Sequence, residues 1–102
     1  MIRMRHKFNA TVTELDGKKF DSKKEGKYYS ELKLRKAAGE VVFFLRQVPF
    51  DLPGNVKYRV DFQEFRSDGT VHFIDVKGYK TPEYIMKKKM VEDLYPVIIE
   101  ET

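Results

Sequence analysis

Two β-prone runs sharing one turn constrain this chain more than any other feature. Lys57 to Phe65 and Thr70 to Lys77 alternate apolar and polar residues, and Ser67-Asp68-Gly69 separates them. A period of two marks a half-buried strand, and Asp-Gly between two such runs signals a hairpin. Each run carries an acid: Asp61 in Tyr58-Arg59-Val60-Asp61-Phe62, and Asp75 in Phe73-Ile74-Asp75-Val76-Lys77-Gly78. Asp75 and Lys77 are two apart, so both side chains leave one face of their strand. Ile74 and Val76 leave the other face and can anchor the strand in a core.

The turn decides whether the two acids meet. A two-residue loop at Asp68-Gly69 pairs Asp61 with Val76 and sends the acids to opposite faces. A three-residue loop, with Gly69 left-handed as a G1 bulge, pairs Asp61 with Asp75. Asp-Gly permits either. Two carboxylates at cross-strand distance repel unless something neutralises them. A hard divalent cation does so, and Mg²⁺ takes one or two carboxylates together with water and phosphate oxygens. The backbone carbonyl of Val76 lies between the site residues and is a further ligand candidate. Lys77 beside such an ion would orient an attacking water and stabilise charge on a phosphate. Together these are the parts of metal-assisted phosphodiester hydrolysis.

The remaining elements read outward from this hairpin. Residues 1–7 form a basic arm, and residues 8–21 a first hairpin turning at Asp16-Gly17. Ser22 with Glu25 three residues later fits a capping box, opening a helix that runs to Ala38 and stops at Gly39. Tyr28, Tyr29, Leu32 and Ala37 are its expected buried stripe, and Glu25 shares that stripe at the i, i+4, i+7 spacing of Glu25, Tyr29 and Leu32. Glu40 to Leu52 reads as a strand in which Pro49 demands an edge or a bend. Pro82 opens a second helix to Leu94, with Tyr84, Ile85, Met86, Met90, Val91 and Leu94 as its apolar positions. Pro96 to Glu100 is a last strand. The order after the first hairpin is α-β-β-β-α-β, a single α+β domain with residues 22–100 as its core.

Composition removes competing classes. The 102 residues suit one domain, and 41% apolar with 14% aromatic content is too much for a disordered chain. No run of 18 apolar residues offers a membrane span, and Met1 to Lys7 lacks the apolar stretch of a secretory signal. With 0 Cys, thiolate metal sites and cysteine nucleophiles are excluded, and a reducing compartment is compatible. There is no glycine-rich phosphate loop, no HExxH and no Ser/His/Asp set. The balance of 20 Lys and Arg against 16 Asp and Glu leaves +4, a mild bias toward an anionic partner.

Asp61 followed by Asp75-Val76-Lys77, with Glu25 on the first helix and Gln47 between, resembles the PD-(D/E)XK nucleases. That superfamily includes restriction endonucleases, Holliday-junction resolvases and transposase-associated end-cleaving nucleases. Its shared core has the same α-β-β-β-α-β order. The wider string from Asp16 to Glu25, with Gln47-Val48-Pro49-Phe50 and Asp75-Val76-Lys77-Gly78, is similar to a small phage-encoded family placed in that superfamily. The likeness covers roughly residues 8–100. Val60 stands before Asp61 where the superfamily motif has Pro, and Asp75 fills a position where Glu is common.

The resemblance implies a restriction-endonuclease-like α/β core with a mixed central sheet. It also implies a DNA endonuclease that uses Mg²⁺, with Mn²⁺ as a substitute, in phage DNA processing or recombination. Asp61 and Asp75 would bind metal, Glu25 would bind it directly or through water, Lys77 would assist the nucleophile, and Gln47 would support the site. So small a chain would read DNA shape, such as a branch or flap, or rely on a recruiting partner. A homodimer would let two sites cut two strands. The expected location is the cytoplasm of a bacterial host.

Plainer readings stand beside these. Glu25 can serve only as the capping partner of Ser22, Asp75 and Lys77 as a surface ion pair, and Asp61 as a lone edge charge. Gln47 can be a surface residue. Lys23, Lys24, Lys27, Lys80, Lys87 and Lys88 are either solvated faces or contacts to a phosphate backbone. His6 and His72 read as incidental, and Met86 and Met90 as core. As whole-chain alternatives, a non-catalytic nucleic-acid-binding or partner-recruiting module on the same fold would explain the charge but not the clustered acids. A small β-rich interaction protein would leave the motif incidental.

Overall fold

The computed structural model describes residues 13–102. The expected basic arm, residues 1–7, and the start of the first hairpin, residues 8–12, lie outside the described residues. Strands β1 (Thr13–Leu15) and β2 (Lys18–Phe20) pair antiparallel around Asp16-Gly17. Both turn residues are left-handed, with φ of 53 and 74, as a two-residue hairpin turn requires.

The core follows as α1 (Lys23–Ala37), β3 (Val41–Leu52), β4 (Val56–Arg66), β5 (Val71–Asp75), α2 (Pro82–Leu94) and β6 (Ile99–Glu101). The sheet order is β3-β4-β5-β6. The first two pairings are antiparallel and β5–β6 is parallel, with α2 as the crossover, so the sheet is mixed as expected. β3 lies on the edge of this sheet, which is where Pro49 is tolerated.

Local chemistry sets the helix ends. The Ser22 side chain accepts from the Glu25 amide at 3.1 Å, and the chain leaves α1 through Gly39 at φ 85. Thr81 caps α2 by accepting from the Tyr84 amide at 3.1 Å, with Pro82 in the first turn. On α1, Glu25, Gly26, Tyr29 and Leu32 are buried and Tyr28 is half-buried. Ala37 departs from expectation, since the buried stripe ends before the last turn and Ala37 is exposed with Lys36. On α2 only Tyr84 and Val91 are buried and Met90 is partly so. Ile85, Met86 and Leu94 reach solvent because the helix rests on the sheet along one narrow line, seven residues apart, which corrects the reading of Met86 as core.

Two apolar clusters hold the sheet. Phe20, Tyr29, Leu32, Val41, Phe62, Ile74 and Val76 pack beneath α1. Phe50, Leu52, Tyr58, Val60, Tyr84, Val91 and Ile99 pack with α2. Even-numbered residues of β3 and β4 change cluster partway along. Phe44 and Phe62 join the first cluster, whereas Val48, Phe50, Tyr58 and Val60 join the second. The change falls at Gln47, which takes the left-handed region at φ 53 in the middle of a strand.

The strands also end differently than expected. β5 stops at Asp75 rather than Lys77, because the acids' own carboxylates take the amides the ladder would use next. β6 begins at Ile99 rather than Pro96, since Val97 is turned back onto the Tyr95 carbonyl at 2.8 Å and the Ile99 amide goes to Glu92 Oε2 at 2.8 Å.

Candidate active site

The β4–β5 turn takes the three-residue form. The Arg66 amide donates to the Thr70 carbonyl at 2.9 Å, the Gly69 amide to the Arg66 carbonyl at 3.0 Å, and Gly69 has φ 88. Phe62 then faces Ile74, and Gln63 faces Phe73. One step further, this register brings Asp61 level with Asp75, the arrangement that a joint site requires.

The two acids are interlocked. The Asp61 amide donates to Asp75 Oδ1 at 3.0 Å, and the Val76 amide donates to Asp61 Oδ2 at 2.9 Å. Carboxylates thus replace carbonyls in the ladder, Asp75 pinning the backbone of Asp61 and Asp61 that of Val76. Asp75 is 0% exposed and Asp61 9%. The plain readings of Asp75 as half of a surface pair and Asp61 as an edge charge are therefore overturned.

From α1, Glu25 turns its carboxylate inward and is 5% exposed. Its amide serves the Ser22 cap, while its Oε2 accepts from Gln47 Nε2 at 3.2 Å and lies 3.8 Å from Arg46. Capping is thus only half of its role. The same Gln47 Nε2 lies 3.4 Å from Asp61 Oδ1, so one amide ties the acids of two elements together. The left-handed kink at Gln47 sits opposite Asp61 on the neighbouring strand, where strain of about 1–3 kcal/mol persists only if its surroundings hold it.

Burial raises the pKa of all three acids. Glu25 is pushed up to about 7, chiefly by burial and then by the charge of Asp61. Asp61 and Asp75 are raised by burial, against which the Val76 amide, the Asp61 amide and the charge of Lys77 act in the other direction. Lys77 is half-buried, its Nζ 4.6 Å from the centroid of the Tyr84 ring. The Tyr84 hydroxyl donates to Glu101 at 2.7 Å, so the ring beneath Lys77 is fixed at both ends.

These residues suit a divalent cation. Asp75 Oδ2 is buried without a hydrogen-bond partner, which is costly unless something positive meets it. Among the described residues, no three of His, Asp and Glu are grouped closely enough to hold a metal by themselves. Asp61, Asp75 and the Val76 carbonyl are the groups that could hold such an ion directly, and Glu25 could do so through water.

The basic residues separate into distinct groups. Lys24 donates to the Lys77 carbonyl at 3.0 Å, and with Lys27 it lines an open groove beside Val76. Lys87 lines a second groove with Lys77, and Lys23 is exposed at the start of α1. Lys80 and Lys88 are drawn to Glu101, at 2.9 Å and 3.7 Å. His72 bonds Thr70 and Glu100, away from the acids. Arg59 in the second groove and Arg46 beside Glu25 escaped the sequence reading. Arg59 had no clear signal, since the alternation of β4 breaks between Val60 and Phe62. No helix of the described residues is long and apolar enough to cross a membrane.

Among curated proteins the chain has no match. A protein-family model matches residues 5–100, nearly the whole chain and every residue of this site, and the chain belongs to that family, proteins of unknown function designated DUF1064.

Proposed function

We propose that this protein is a Mg²⁺-dependent DNA endonuclease of the PD-(D/E)XK type. One observation carries the reading: Asp61 and Asp75 stand side by side, the Asp75 carboxylate holding the Asp61 amide and the Asp61 carboxylate holding the Val76 amide, with a buried oxygen on Asp75 that has no hydrogen-bond partner among the described residues. Acids so placed without a counter-charge would be a liability in a binding module, since they repel phosphate. Asp61, Asp75, the Val76 carbonyl and Glu25 would hold the ion. When bound, it would supply Lewis acidity toward a phosphoryl oxygen and an acidified water.

The chain's own groups supply the rest. Lys77 presents its ammonium at the mouth of the site, where it neutralises charge on a phosphate and orients a water toward phosphorus. The Tyr84 ring limits where that ammonium can go. Gln47 keeps Glu25 and Asp61 apart in a set geometry, and Arg46 offsets the charge of Glu25. So small a core favours recognition of branched or flapped DNA, or delivery by a recruiting partner. A homodimer would pair two sites for two strands.

The test is cleavage of plasmid and branched DNA in Mg²⁺, and in Mn²⁺, against a chelator control. Wild type should cut, and Lys77→Ala and Asp75→Asn should each lose at least about 100-fold of the rate. Equal behaviour of all three proteins would remove the catalytic assignment. DNA binding of equal strength in chelator, with no cleavage in any metal, would favour a binding module on this fold.

A further inference from the structure

The groove lined by Gln47, Tyr58, Arg59, Lys77, Tyr84 and Lys87 runs along β4 to the start of α2. Gln47 and Lys77 connect it to the acidic site. Its cations are not equally engaged. Lys57 at its rim pairs with Asp51 at 2.6 Å, and Lys87 with Glu83 at 2.9 Å, which also cancels the one carboxylate lining the groove. Arg59 is exposed and has no ion-pair partner among the described residues. Thr81 also lines the groove as the N-cap of α2, so the helix end that carries a partial positive charge opens onto it.

A second observation points to a ligand. Tyr58 is 6% exposed, lies in the groove wall, and its hydroxyl is buried without a hydrogen-bond partner. Such a hydroxyl is costly to bury unless an oxygen or nitrogen meets it. The groove thus offers a free guanidinium, a helix N-terminus and an unused hydroxyl donor, which together match a phosphate oxygen.

We propose that this groove binds a phosphodiester group of the substrate DNA strand that flanks the one at Asp61 and Asp75. This rests on the phosphodiesterase reading and adds the path of the strand. Arg59 and Asp61 are two residues apart on one strand, roughly 6.8 Å, close to the spacing of successive phosphates along a nucleic-acid backbone. Arg59 and the N-terminus of α2 take the charge of the flanking phosphate, and Tyr58 donates to one of its oxygens.

Binding of a fluorescein-labelled DNA duplex in EDTA, followed by anisotropy across a salt series, tests this without requiring cleavage. Arg59→Ala should bind about tenfold more weakly, with its log–log salt slope smaller by about 1, evenly across duplex sequences. It should melt like wild type, since Arg59 is exposed. Tyr58→Phe should weaken binding severalfold. If the hydroxyl is idle, Tyr58→Phe will bind like wild type, and Tyr58 leaves the proposal. Wild-type affinity and slope in Arg59→Ala would overturn the groove, even where wild type cleaves DNA. Conversely, wild type that never cleaves, beside an Arg59→Ala that loses binding, would defeat the nuclease reading alone.

Discussion

Gln47 concentrates the tension between stability and chemistry into one residue. A non-glycine side chain in the left-handed region costs roughly 1–2 kcal/mol, and here the cost is met by two carboxylates on different elements. Gln47→Ala keeps the strain and removes the amide, whereas Gln47→Gly removes both. Urea unfolding should therefore find Gln47→Gly about 1 kcal/mol more stable than Gln47→Ala, while both lose cleavage activity alike. Equal stability of the two would mean that the kink carries no strain. The grouping of the acids was legible at this scale because acids and a lysine on alternating strands are rare enough to stand out. Asp61, Asp75, Lys77 and Glu25 declared themselves by type and spacing. Gln47 declared its polarity but not its backbone, since left-handed φ in a non-glycine leaves no mark on the sequence. Arg59 stayed hidden because an arginine on a half-buried strand is ordinary until the groove around it is known.

The elements were legible wherever a local signal set them, and less so where distant partners did. Ser22, Gly39 and Pro82 mark helix ends by chemistry within a few residues, and α1 begins and ends, and α2 begins, where these residues imply. The end of β5 could not be read this way. It depends on the two carboxylates taking the Asp61 and Val76 amides across strands, which the alternating pattern through Lys77 conceals. The exposure of Met86 was equally invisible, since helical spacing gives a stripe but not its width. The turn at Ser67-Asp68-Gly69 sits between these cases, because its composition allowed two registers and only one lets the acids meet. Gly69 holds that register through φ 88, with open space where a Cβ would stand. Gly69→Ala therefore pays only in backbone strain. It should lower stability by about 1 kcal/mol in urea titrations, with cleavage unchanged well below the melting temperature. A loss of activity in a folded Gly69→Ala protein would show instead that the register had slipped.

At the scale of the whole molecule, the acids of the site set how stability follows pH. Glu25, Asp61 and Asp75 all have pKa values raised by burial, Glu25 to about 7. A carboxylate whose folded pKa lies above its unfolded value binds more protons when folded, so stability falls as pH rises between the two. Glu101 acts in the opposite sense: hydrogen bonds from Lys80 and then Tyr84 hold it down to about 2, so its contribution is present above its ordinary value and lost in acid. Metal-free protein in EDTA should therefore be most stable near pH 5. It should lose on the order of 2 kcal/mol by about pH 8, with Glu25 contributing most. Glu25→Gln should flatten that alkaline limb and leave the acid limb alone. Divalent cation competes with protons for the same oxygens, so added Mg²⁺ should raise the melting temperature more at pH 8 than at pH 5. Thermal melts at the two pH values, with and without Mg²⁺, read all of these at once. A wild-type alkaline limb as steep in Glu25→Gln as in the parent would place the titration elsewhere. A Mg²⁺ effect independent of pH would separate the ion from these carboxylates. The same linkage refines the meaning of the +4 net charge. At neutral pH the acids nearest the grooves are the ones a proton or a cation offsets, so the surface around the grooves is more positive than the whole-chain sum.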